Sequence, residues 1–239
     1  MLKFIGSGSA FNTKLGNNSA FIKKDKELLL FDCGSSIFER IIHNNLLDGI
    51  EKLYILITHL HPDHVGSLGD LIFYTYYKKN FKAVVIYPDY SKIKTYLGTF
   101  GICSQLESEK EHFYTFSYHW EQVIPDLQIQ SHLISHKREI QSYCYLLIPK
   151  GEPAIYYSGD GYVIDNSILK QLSEGSISAL YQDTSGIDYE GNPHLSITKL
   201  ASLIPVEFRN KVWCMHLDEY FSIEDAKALG FNVVKNEFD

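Results

Sequence analysis

Thr58-His59-Leu60-His61-Pro62-Asp63-His64 sets three imidazoles and a carboxylate side by side, directly after the apolar run Leu53-Tyr54-Ile55-Leu56-Ile57. That run is hydrophobic on both faces and bounded by polar turns, the pattern of a strand buried in a parallel sheet. The histidines therefore stand at the C-terminal end of a strand. On an extended turn His59 and His61 share a face at a period of two, and Pro62 opens a helix whose first turn holds Asp63 and His64. One pair can hold one metal ion and the next pair a second. Imidazole suits zinc and neighbouring divalent metals, and a carboxylate adds a hard anionic ligand. A histidine-rich surface turn is the bland alternative, and the scarcity of histidine weakens it: there are 10 in 239 residues.

A dinuclear site needs further donors, each best placed at a strand end where a side chain reaches over the edge of a sheet. Three positions qualify. His136 follows the alternating segment 127–135, Asp160 follows 154–159, and His216 follows Val212-Trp213-Cys214-Met215. His132 shares the parity of His136, so period alone does not separate them; the strand-end position favours His136.

Length and composition fit one enzyme-sized unit spanning 1–239, with no Pro/Ser-rich linker, charge block or internal repeat to divide it. The net charge of −7, from 22 Lys+Arg against 29 Asp+Glu, opposes a broad electrostatic footprint for long nucleic acid and favours a small substrate. Cys33, Cys103, Cys144 and Cys214 form no CxxC pair. Three of them lie in or beside apolar strands, as reduced buried thiols do, which predicts a cytoplasmic protein. The opening Met1-Leu2-Lys3-Phe4-Ile5-Gly6 is too soon interrupted for a signal segment, and no apolar run approaches the roughly 18 residues of a membrane span.

Strands are predicted near 2–5, 19–23, 27–31, 53–57, 83–87, 127–135, 142–149, 154–158, 178–182 and 212–215. The clearest helices are 35–46, opened by Ser35 or Ser36; 63–79; 91–97; 195–204, opened near His194; and 222–229, where Ser222 and Asp225 make a capping box. Early strands meander and later ones alternate with helices, which points to two sheets covered by helices, a four-layer αββα sandwich. The segment 98–120 is the hardest to read. Its Phe100, Phe113, Tyr114, Phe116, Tyr118 and Trp120 suit core or dimer packing better than base stacking, and His112 and His119 are not expected to be ligands.

His59, His61, Asp63, His64, His136, Asp160 and His216 resemble, in order and context, the ligand set of the metallo-β-lactamase superfamily. The likeness spans nearly the whole chain and includes Gly6-Ser7-Gly8-Ser9 with Asn17-Asn18-Ser19, and Phe31-Asp32-Cys33-Gly34. It implies two divalent ions, Zn²⁺ or alternatively Mn²⁺: one on His59, His61 and His136, the other on Asp63, His64 and His216, with Asp160 bridging. It also implies that Asp32 is a buried structural carboxylate. Asp183 and His194 resemble the carboxylate and histidine of the ribonuclease Z-like phosphodiesterases, in which the histidine meets the scissile phosphate; a loop Asp and a helix-capping His are the alternative. An Asp that orients a His and stabilises its charged form suits donation to a phosphate oxygen.

Unlike the tRNA-processing members, the chain has no Gly/Pro-rich arm between His136 and Asp160, where two strands are expected instead. Without that arm, and being acidic, it looks more like the small-substrate members, among them the anti-Pycsar enzymes that open cyclic mononucleotides. The resemblance implies catalytic roles for Asp63, Asp183 and His194 and a cyclic nucleotide substrate; a homodimer is expected, and, from the lack of a long apolar run, no membrane partner. An RNA-processing nuclease, a thioester or lactam hydrolase, and a non-catalytic metal-binding scaffold remain the other readings.

Overall fold

The structure, a computed structural model, describes residues 1–117, 124–136 and 139–238. Two compact units divide the chain. The first comprises Met1–Gly6, Gly16–Tyr118 and Asn236–Asp239, and the second Ser7–Leu15 and His119–Lys235.

In the first unit a six-stranded sheet runs β1 (Lys3–Gly6), β2 (Ser19–Lys24), β3 (Glu27–Phe31), β4 (Lys52–Leu56), β5 (Ala83–Ile86), β6 (Tyr114–Phe116) in both space and sequence. The first three strands pair antiparallel and the rest parallel, Leu30 opposite Ile55 and Ile55 opposite Val85. Parallel neighbours need crossovers, and helices supply them. They are α1 (Ile37–His43), α2 (Pro62–Val65), α3 (Leu68–Lys78) and α4 (Tyr90–Gly98). α3 buries Leu68, Leu71, Ile72 and Thr75, the i, i+3, i+4, i+7 stripe of a helix lying on a core.

The helix expected over 63–79 is two helices. Gly66 closes α2, and a Cβ there would stand 2.1 Å from Ser35 Oγ and 2.4 Å from Pro62 O. Gly34 is as tightly placed, 2.0 Å from Asp63 O for the same added atom. Cys33 N donates to His64 O at 2.7 Å and Ser67 Oγ donates to Gly34 O at 2.6 Å. The close approach of 33–36 to 62–67 breaks the helix and seats the histidine turn.

The second unit holds a seven-stranded sheet in the order β13 (Asn232–Val233), β12 (Val212–Met215), β10 (Ile177–Ser185), β9 (Ala154–Tyr157), β8 (Ser142–Pro149), β7 (Leu127–Ile134), with β11 (Leu195–Ser196) also on β10. β7, β8 and β9 pair antiparallel, and β9, β10, β12 and β13 parallel. β10 is buried along its length except at Ser178, as a central parallel strand must be. Ile168 and Leu172 of α5 (Asn166–Glu174), Leu200 of α6 (Ile197–Leu203) and Ala226 of α7 (Ile223–Ala228) pack with Leu180, Val212, Cys214 and Phe231.

α6 begins after Ser196, whose side chain accepts from Lys199 N, so His194 precedes the helix rather than capping it. Ser222 does cap α7. The sequence reading passed over α5, β6 and the two-residue strands β11 and β13. Of the aromatic segment, Tyr114 and Phe116 are buried, and Phe113 meets Phe73 and Tyr76 edge-on at 5.2 and 5.1 Å. Phe100 is exposed, His112 Nε2 lies 3.0 Å from Lys82 Nζ, and Tyr118, His119 and Trp120 lie outside the described residues. All four cysteines are free. Among the described residues no helix is long and apolar enough to cross a membrane.

Candidate metal-binding clusters

In the first unit β4 delivers the chain to Thr58 and His59, both fully buried, and His61 stands at the N-cap position of α2, without a side-chain cap, with Pro62 at the helix's first position. His59 Nε2 lies 2.8 Å from His61 Nδ1, and the His59 and His64 ring centres are 4.0 Å apart. His64 Nε2 faces Asp63 Oδ2 at 3.3 Å. Behind these groups stands Asp32, fully buried with φ of 59°. Its carboxyl accepts from Thr58 N at 2.7 Å, Thr58 Oγ1 at 2.8 Å and His64 Nδ1 at 2.8 Å. Burial pushes the Asp32 pKa up, against the pull of the His64 charge and the His64 and Thr58 hydrogen bonds. Asp32 is in none of the ligand-capable groups among the described residues.

In the second unit the donors again sit at strand ends. Asp160 follows β9, with Gly159 before it at φ of 56°, and His216 follows β12 at φ of 56°. A histidine held in the left-handed region costs backbone energy of order 1–3 kcal/mol, a mark of functional sites. His216 Nε2 lies 3.5 Å from Asp160 Oδ1, and His136 Nε2 lies 3.8 Å from Asp160 Oδ2. His132, the other histidine of that parity, is exposed on β7 opposite Cys144. Ser158 Oγ accepts from Asp183 N at 2.9 Å, anchoring the turn that bears Asp160 to β10.

Asp183 clamps two histidines. Its Oδ2 lies 2.7 Å from His194 Nδ1 and its Oδ1 3.3 Å from His216 Nδ1, and the His194 and His216 rings stack at 5.0 Å. Burial opposes the charged form of His194, but the Asp183 charge and hydrogen bond outweigh it, and the His194 pKa stands above the ordinary histidine value. Asp183, His194 and His216 form a ligand-capable group by themselves.

One pattern recurs in both units. His59 Nδ1 lies on Thr58 Oγ1 at 3.1 Å, His64 Nδ1 on Asp32 and His136 Nδ1 on Pro193 O at 3.4 Å, while His216 Nδ1 faces Asp183 Oδ1 at 3.3 Å without hydrogen-bond geometry. In each case Nε2 turns toward another donor. Pinning one ring nitrogen to an oxygen sets the tautomer and aims the other at a cation, the outer-shell arrangement of metal-ligating histidines. The donor set therefore fits divalent metal. Sequence reasoning identified these histidines and aspartates but not the part Thr58 plays, since a hydroxyl beside a histidine carries no periodic signal.

The family model described as Anti-Pycsar protein Apyc1 matches residues 1–237. A protein of that name from Paenibacillus harenae is 28% identical over 92% of this chain and 92% of its own length, and one from Bacillus phage 010DV004 is 25% identical over 92% and 91%. Among solved structures, the metallo-β-lactamase fold protein YhfI from Bacillus subtilis superposes with a TM-score of 0.73, covering 99% of this chain and 97% of its own at 14% identity. The fold is thus the metallo-β-lactamase fold, and its donor clusters are of a kind that could hold metal ions.

Proposed function

We propose, for a chain that belongs to the Anti-Pycsar protein Apyc1 family, that it hydrolyses 3′,5′-cyclic mononucleotides to nucleoside monophosphates and so counteracts cyclic-nucleotide immune signalling. The observation that carries this reading is the 2.7 Å contact between His194 and the buried Asp183. Against the opposing effect of burial, the carboxylate raises the pKa of His194 and so favours its donor form; a departing ribose alkoxide needs such a proton or hydrogen-bond donor, whereas the thiolate of a thioester leaves without one.

His59, His61 and His136 would hold one divalent ion, and Asp63, His64 and His216 the other, with Asp160 shared; the family match, which runs through both units, supports taking them together. Zn²⁺ suits the imidazole-rich donors, with Mn²⁺ the alternative. When bound, such ions supply Lewis acidity and lower the pKa of a water to about 7. Asp63 accepts a hydrogen bond from the attacking water and fixes its direction. As the new P–O bond forms and a ring P–O bond breaks, His194 donates its proton, or a hydrogen bond, to the departing ribose oxygen, and Asp183 stabilises its charge beforehand. The acidic chain and the short 137–159 segment favour one phosphate over a polyanion. The same reading keeps a cytoplasmic homodimer.

The test is a panel of cyclic mononucleotides, cyclic dinucleotides, precursor tRNA, a thioester and a lactam, offered to metal-loaded protein at low and physiological salt. Turnover of at least one cyclic mononucleotide with little salt dependence is expected. Efficient, steeply salt-sensitive cleavage of tRNA with no cyclic mononucleotide opened would overturn the proposal in favour of a nuclease.

A further inference from the structure

His194 ends a nine-residue loop, 186–194, that has no helix or strand of its own between β10 and β11. Asp183 orients its ring, but its main chain needs a separate support. That support is a run of side chains. His194 N donates to Asn192 Oδ1 at 3.0 Å. Asn192 Nδ2 donates to Ile187 O at 3.0 Å and lies 3.4 Å from Ser185 Oγ. Ser185 Oγ is 2.6 Å from Asp218 Oδ2 and 3.0 Å from Ile187 O. The hydroxyl has one proton, and the nearer, anionic acceptor takes it. Asp218 Oδ2 also accepts from Gly186 N at 3.0 Å, and its Oδ1 from Tyr220 N at 2.9 Å. Gly186 lies against the Tyr220 backbone so closely that a Cβ would stand 2.4 Å from the Tyr220 carbonyl.

Asp218 is two residues past His216, and His216 faces the same Asp183 that holds His194. The connections therefore close into a ring through His194, Asn192, Ser185, Asp218, His216 and Asp183, all in the second unit. We infer that Asn192 and Asp218 are positioning residues for His194: they tie its loop to the turn that carries His216, so that the two histidines keep one relative geometry. This inference rests on the phosphodiesterase reading. Neither residue is assigned contact with reacting atoms, and each acts by holding the donor where a misplacement of about 1 Å can cost on the order of a hundredfold in rate.

The experiment compares Asn192→Ala, Asp218→Ala and Asp218→Asn with His194→Ala and with the double variants. Two substrates are used: a 3′,5′-cyclic mononucleotide, whose ribose alkoxide needs a proton, and bis-p-nitrophenyl phosphate, whose p-nitrophenolate does not. Asn192→Ala and Asp218→Ala should lower kcat on the cyclic substrate by about tenfold to a hundredfold with KM and metal content little changed. The loss on bis-p-nitrophenyl phosphate should be much smaller, and neither substitution should add to His194→Ala. Asp218→Asn should recover part of the rate, since its single carbonyl oxygen still takes the Ser185 hydroxyl. The His194 Nδ1–H proton resonance, shifted downfield by the bond to Asp183, should move or broaden in both alanine variants.

Losses that multiply with His194→Ala, or equal losses on both substrates with metal released, would overturn the inference; so would an unmoved resonance. A wild-type protein that opens no cyclic mononucleotide would sink the functional reading instead, while the displaced resonance would still support the positioning role.

Discussion

Asp32→Asn exchanges one atom and tests whether the buried carboxylate sets the tautomer of a metal ligand. Asparagine tolerates the left-handed backbone at φ of 59° as aspartate does, so the main chain is not perturbed. The carboxylate serves three donors, Thr58 N on Oδ1, and Thr58 Oγ1 and His64 Nδ1 on Oδ2. Asparagine has one acceptor oxygen. It must stay on Thr58 N, because a backbone N–H cannot reverse its role, and the amide NH₂ then faces Thr58 Oγ1 and His64 Nδ1. The hydroxyl can rotate to accept. The imidazole can accept on Nδ1 only by moving its proton to Nε2, the nitrogen that faces Asp63 at 3.3 Å, and a protonated Nε2 is no metal ligand. The alternative, keeping Nδ1–H against an NH₂ group, forfeits a buried hydrogen bond to a charged group worth about 1.5–3 kcal/mol. Either route lowers affinity for one ion by about 10–100-fold, or about 1.4–2.8 kcal/mol. Competition against a fluorescent zinc chelator, with near-ultraviolet circular dichroism to confirm native packing, should show one of two ions weakened by that factor and the other retained. Unchanged affinity for both ions in a natively folded Asp32→Asn protein would refute the tautomer argument.

Elemental analysis of protein purified without chelator should approach two transition-metal ions per chain, since seven ligands exceed what one four- to five-coordinate ion can use; a saturated value of one with full activity would remove the dinuclear reading. His194→Ala should keep both ions yet lose about a hundredfold or more in kcat on phosphodiesters, as expected for one transition-state contact, with Asp183→Ala a milder version; full activity in His194→Ala would remove His194 from the reaction and with it the ground for preferring a phosphodiester to a thioester. Burial pushes the Cys33 and Cys214 thiols up to about 12 and Cys144 up to about 11. All three stay protonated at pH 8, and iodoacetamide should label only Cys103 in the native protein; rapid labelling of a second thiol would show that one of these cores opens readily.

Patterns confined to a few consecutive residues were legible in the sequence. The run 53–57 is apolar on both faces because β4 lies between two parallel neighbours, and the histidines follow it because the chain leaves that strand through a turn and Pro62. His136, Asp160 and His216 could be singled out for the same local reason, each at the end of an apolar or alternating strand. Period could not separate His132 from His136, because the two share one parity in the sequence; β7 ends at Ile134, leaving His132 exposed on the strand, and the chain beyond it turns His136 toward Asp160. The helix over 63–79 looked continuous because its apolar spacing is, and it breaks at Gly66 because residues 33–36 come within atomic contact of it. The partners of the ligands were equally out of reach of local reasoning. Asp32 reaches His64 across 32 residues, and Asp218 reaches Ser185 across 33. Hydrogen bonds between remote residues obey no period of 2 or 3.6, so local sequence reading found which groups can bind metal, while the tertiary fold decided which nitrogen of each histidine is held and which is aimed.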